Sequence, residues 1–147
     1  MGATLGSGGI ARAVKINTGE AVSTLSTLYV GLLATFPADA HKLSLATLSS
    51  SEFAIGADFY TARKAVTMGT FSSLSDGTGY KDSAAPTLTW ANTSGSTKNV
   101  AGFFITDASS GTSGSVLWVG TPDGGTSAIT TGNSAQLTAG DLRLGVK

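Results

Sequence analysis

His41 is the one imidazole among 147 residues, and it stands beside Lys42 in a polar stretch. A Ser–His–Asp relay needs a base, so His41 would have to supply it. No Gly-x-Ser-x-Gly turn carries a nucleophile, and His41 reads as a surface residue. Metal chemistry meets the same shortage, because the chain has no cysteine and one histidine with scattered acids does not supply a zinc ligand set. Asp76 and Asp123 are each followed by glycine and could lend oxygens to calcium. A calcium site takes about six to eight oxygens, so both read as turn residues. Residues 6–11, GSGGIA, match a dinucleotide fingerprint in letters only, since a buried strand must precede it and five residues do not make one. A glycosidase needs two carboxylates in one cleft, and none of the 9 acidic residues is placed to form such a pair. The expectation is a chain without catalytic, cofactor or metal site, and not an enzyme.

Binding chemistry is the other possibility. Trp90 and Trp118 could stack on sugar rings as in a carbohydrate-binding module. Each lies in a β-type run with apolar neighbours, so core packing is expected, with the indole N–H given to a backbone carbonyl. Tyr29, Phe103 and Phe104 read the same way. Asn92-Thr93-Ser94 spells a glycosylation sequon, and without a secretory signal it reads as a turn.

Composition narrows the partners. Formal net charge is zero, and the charged fraction of 12% is about half of ordinary usage. A nucleic-acid binder would carry a basic excess; here Arg63-Lys64 is the one adjacent basic pair. No apolar run approaches the ~20 residues of a membrane span. The start lacks the apolar core of a signal peptide, and Gly6 stands where a myristoylation motif wants Ser or Thr. A surface poor in charge costs little to desolvate, which suits burial against neighbours. The expectation is a product made in the cytoplasm and then assembled.

The chain length fits one domain. Residues 1–9, MGATLGSGG, read as a flexible arm, and 10–147 as a single domain. Residues 10–16 read as a short strand, with a helix from Ile10 as the competitor, and 17–19 as a turn. Residues 20–27 read as a short helix. Residues 28–35 form an apolar, central strand ended at Pro37, and 41–53 read as a short helix and loop. Residues 61–68 alternate as a strand, 72–85 read as loop, and 86–91 as a half-buried strand. Two β-type runs, 100–106 and 115–120, flank a Ser/Gly/Thr-rich loop at 107–114 expected to face solvent. Residues 126–130 and 134–138 read as a weaker hairpin, and 141–146 as a last strand. The expected core is Tyr29, Val30 and Leu32 from the first strand and Val66, Leu88 and Trp90 from the middle. Phe103, Ile105, Leu117 and Trp118 join them from the hairpin, with Leu142 and Leu144 from the end. Short strands between turn signals predict an all-β fold, a compact sandwich of jelly-roll type.

Four segments carry a resemblance. Residues 28–35 (LYVGLLAT), 59–71 (FYTARKAVTMGTF), 88–122 (LTWANTSGSTKNVAGFFITDASSGTSGSVLWVGTP) and 135–146 (AQLTAGDLRLGV) resemble a family of small bacteriophage virion proteins, tail-fibre-like or decoration proteins. The resemblance implies a structural virion component. It implies foremost a capsid decoration (cement) protein on the outer shell, contacting the major capsid protein and copies of itself, with a trimer favoured. A tail component for host attachment is the alternative. The arm, with Gly2, Ala3, Thr4, Leu5 and Ile10, is the candidate for gripping the shell by adding a strand to a neighbour's edge.

Overall fold

A computed structural model describes the chain except for residues 1, 2, 24, 26, 57, 58, 70, 71, 74–78, 85 and 147, with the backbone alone of 72, 73, 79, 80, 145 and 146. It is an all-β domain with a few short helices. Its largest sheet is antiparallel and has five strands. These are β1 (Ala3–Leu5), β2 (Leu28–Leu33), β3 (Lys64–Val66), β8 (Gly102–Thr106) and β9 (Val116–Gly120), in the order β1-β9-β8-β2-β3. β2 is internal, as its two-faced apolar run requires, and β8 and β9 form the expected hairpin. A bulge leaves Leu117 unmatched between the pairs Ile105–Trp118 and Thr106–Val116.

Side chains alternate across this sheet and feed two cores. Val30, Leu32, Phe103 and Ile105 enter the larger, where they meet Phe59, Tyr60, Val66, Leu88, Trp90, Leu142 and Leu144. Leu33, Phe104, Val116 and Val119 face the other way, against Ala40, Leu45 and Leu48. The latter three come from a 3-10 turn at Ala40–Lys42 and from α2 (Leu45–Leu48), which Ser44 caps by accepting from the Thr47 N–H. Gly31 lies opposite Phe104 in the ladder, and a methyl group there would overlap the Phe104 ring. Of the expected core residues, Tyr29 and Trp118 are half-buried and the rest are buried.

Over the larger core lies a two-stranded ribbon. β6 (Leu88–Ala91) pairs with β11 (Ser134–Leu137), and β7 (Lys98–Val100) with β10 (Ser127–Ile129). Both ladders are antiparallel with nearly continuous register, so residues 88–100 run against 127–137 with one bend between the ladders. This corrects the hairpin expected from 126–130 and 134–138. Those two runs do not pair with each other, because each finds an apolar partner far away in sequence. A third, three-stranded sheet has the order β12-β5-β4, from β4 (Ser72–Ser73), β5 (Gly79–Asp82) and β12 (Arg143–Val146). Residues 72–85, expected as loop, thus hold two strands, and β12 supplies β5 with a ladder that local sequence does not announce.

The N-terminus differs most from expectation. Residues 3–9 are not a flexible arm. β1 pairs with β9, and α1 (Ser7–Asn17) begins at once. Gly2 lies outside the described residues. The glycines that suggested flexibility are contact points instead: a methyl group on Gly6, Gly8 or Gly9 would overlap the β9 backbone or Ser115. The competitor helix from Ile10 prevails over a strand. Its end is a Schellman motif, with Gly19 at φ 77°, the Gly19 N–H on Ile16 O at 3.2 Å and the Glu20 N–H on Lys15 O at 2.8 Å. The helix expected over 20–27 does not form in the described part of that stretch, which has no regular structure.

Candidate functional site

Two features of the fold are built with care. The first surrounds Arg63. The guanidinium gives Nε to Glu52 Oε1 at 2.8 Å and Nη2 to Glu52 Oε2 at 2.7 Å. The Tyr60 hydroxyl donates to Glu52 Oε1 at 2.6 Å. Two further Arg63 protons reach across to the β8–β9 loop, to Ala108 O at 3.2 Å and Gly111 O at 2.8 Å. The guanidinium also lies over the Phe104 ring, 5.2 Å from its centroid. Side-chain exposure is 0% for Arg63 and 4% for Glu52, so the charges are sealed and every polar atom must be matched locally. Burial, the bond to Glu52 and its negative charge hold the Tyr60 phenol well above its ordinary range.

This cluster fixes the loop between β8 and β9. Asp107 Oδ1 accepts from the Ser115 N–H at 2.7 Å, and Thr106 Oγ1 accepts from the Ala108 N–H at 3.2 Å. The loop base is therefore tied down while residues 109–114 are exposed, as expected. The sequence reading missed the cluster. Tyr60 and Arg63 stood in it only as letters of the 59–71 motif, and the strand expected from 61 starts at Lys64. No local pattern signalled it, since Arg63 alternates with Thr61, Ala65 and Thr67 on the less apolar side of the run.

The second feature is α1. Glycine contacts press one side of the helix onto β9, and the opposite side turns Ile10 (44% exposed) and Val14 (55%) to solvent. Of the residues expected to grip a shell, Ile10 is thus presented on a rigid helix. Ala3, Thr4 and Leu5 are engaged in β1, with Thr4 exposed.

The other candidates resolve plainly. Trp118 corrects the expectation of a buried indole bonded to a carbonyl: it is half-buried, and its Nε1 has no hydrogen-bond partner among the described residues. Trp90 is 2% exposed and gives its indole N–H to Ala62 O at 3.0 Å, so it offers no stacking face to a sugar. Asn92, the sequon residue, is 1% exposed. It forms the hub of the ribbon's bend, donating to Ser96 O and Ile129 O at 3.0 and 2.7 Å. Its Oδ1 accepts from the Ser94 hydroxyl at 2.6 Å. His41 is half-buried in its 3-10 turn. Among the described residues no group of His, Asp and Glu is arranged to hold a metal, and no helix is long and apolar enough to cross a membrane.

A small β-rich body with sealed charges, a tied loop and an apolar helix face has the character of a building block, and its class is that of the phage virion structural proteins. The family model described as podophage GP4 fiber I protein gp80 matches residues 14–145, and the chain belongs to that family. No curated protein matches the chain.

Proposed function

We propose that the chain is a subunit of a phage fibre, held in the virion by protein–protein contacts, and that it turns over no substrate. The observation that carries this reading is the exposed Ile10 and Val14 on a helix whose far side is locked to β9. Apolar side chains held rigidly in water gain free energy when a neighbour covers them, at little further cost in order. The fibre description of the family supports this location over others.

Attachment to the outer shell as a decoration protein is the second reading, favoured by the charge-poor composition, which suits a subunit buried among many neighbours. Labelling the chain in purified virions and counting copies per particle separates the two. A few copies at the tail supports the fibre, and copies on the scale of the whole shell supports decoration. The Ile10→Ser, Val14→Ser double variant tests the helix face in either case. Stability is expected to hold while incorporation falls at least severalfold, and unchanged incorporation sinks the role given to α1.

A further inference from the structure

The two arms of the ribbon do not close fully over the larger core. Between them and the five-stranded sheet lies an open cavity of about 180 Å³. Val30, Leu32 and Phe103 border it from the sheet, and Ile129 and Leu137 from the ribbon. Its origin is legible in the β6–β11 ladder. Ala135 lies directly opposite Trp90, so the two share a face, and both line the cavity. Trp90 is 2% exposed, so that face looks into the core. A methyl group stands there where a larger side chain would fill the space beside the indole. Protein interiors hold few voids larger than a water molecule, so a cavity of this size sets the site apart from ordinary packing.

The chemistry of the lining selects the ligand. The buried wall side chains are hydrocarbon, and Trp90 spends its one donor on Ala62 O at 3.0 Å. A water molecule needs about two to four polar partners to settle in a cavity, and these side chains supply none. An apolar cavity of about 150 Å³ holds benzene, so there is room here for one ring. Ser127 and Gln136 also line the cavity and are exposed, and Ser134 is half-buried, which puts their hydroxyl and amide groups at the mouth. Among the described residues no charged side chain lines it. Apolar walls with a few polar groups in fixed places are the ordinary make-up of a small-molecule site. We propose that the cavity binds a small neutral molecule with an apolar body of about one ring, seated on the walls, and one hydrogen-bonding end at the mouth, as in a phenol or a cyclic alcohol. The site shares no residue with the exposed face of α1, so it stands or falls apart from the virion role.

The test is a titration of the purified full chain with para-fluorophenol, followed by fluorine NMR of the probe and methyl NMR of the protein. Saturable binding at about millimolar probe is expected, with the largest methyl shifts at Val30, Leu32, Ile129 and Leu137. Myo-inositol, a ring of similar size that is polar all round, should leave those methyls unmoved. Ala135→Leu fills the cavity with an isobutyl group. Its thermal midpoint is expected to hold or rise while affinity for the probe falls at least severalfold. The wild-type shifts need no variant, so they decide the matter even where Ala135→Leu does not fold. Shifts that do not saturate, shifts that are largest outside the cavity, inositol binding as tight as that of the phenol, or a folded Ala135→Leu chain with full affinity would each overturn the proposal.

Discussion

Arg63 and Glu52 form a two-pronged ion pair, with Nε–Oε1 at 2.8 Å and Nη2–Oε2 at 2.7 Å. The pair joins three parts of the chain that local sequence does not connect. Glu52 follows the α2 region and bridges to Leu33 of β2; Arg63 precedes β3; and the carbonyls of Ala108 and Gly111 belong to the β8–β9 loop. Removing one member leaves the other charged, buried and unmatched. Arg63→Met is expected to cost about 3–5 kcal/mol in urea unfolding. The Glu52→Leu, Arg63→Met double variant should lose less than the sum of the single changes. An additive result would mean that the pair does not act as a unit.

Tyr60 makes the same cluster sensitive to alkali. Burial first, then the bond to Glu52 and its charge, raise the phenol far above its ordinary 10.0. The folded chain keeps a proton that the unfolded chain gives up, so this contribution is whole below about pH 10 and drains away as pH rises further. Thermal midpoints measured from neutral pH upward should fall more steeply in the wild type than in Tyr60→Phe. Parallel curves would remove Tyr60 from the account.

The glycine contacts under α1 predict a sharp effect from a small change. Gly9→Ala forces a methyl group into the Leu117 carbonyl. The expected cost is about 1–3 kcal/mol, despite alanine's better helix propensity. Exchange protection should drop first in α1 and β1. A stabilised Gly9→Ala chain would show that helix and strand have room between them.

Asn92 predicts both a stability effect and an absence of modification. Asn92→Ala strips the bend of its hub and removes the side-chain donor to the Ile129 carbonyl, at a cost of about 1–3 kcal/mol. Folded chain offered to an oligosaccharyltransferase should leave Asn92 bare, since its amide is enclosed. Mass spectrometry of the folded product decides the second point, and a glycan on Asn92 would contradict the enclosed geometry.

The sequence revealed whatever was local and periodic. Apolar runs gave β2 and the β8–β9 hairpin, and alternation gave β6 with Trp90 inside. It misled where one composition serves two purposes. Gly6, Gly8 and Gly9 have the letters of a linker, yet the absence of side chains is what lets α1 lie on β9. Ile10 to Ile16 suit strand or helix equally, and packing on β9 decided for the helix. β12, one partner of β5, and the partners of β10 and β11 lie dozens of residues away, and pairing at that range leaves no mark on a short window. The Arg63 cluster was hidden for the same reason, since Glu52, Tyr60 and Gly111 become neighbours only after the sheet closes.

The ribbon's two arms enclose the β8–β9 hairpin in the chain, as outer brackets enclose an inner pair. Bringing residue 100 to residue 127 across an unstructured loop carries an entropic penalty that grows with the loop's length. Once β8 and β9 have zipped together, the gap is much shorter and the arms meet at little added loss. Formation of the molecule should therefore run from inside outward, with the hairpin early and the ribbon late. Changes at Phe104 would then slow folding, while changes at Asn92 would hasten unfolding.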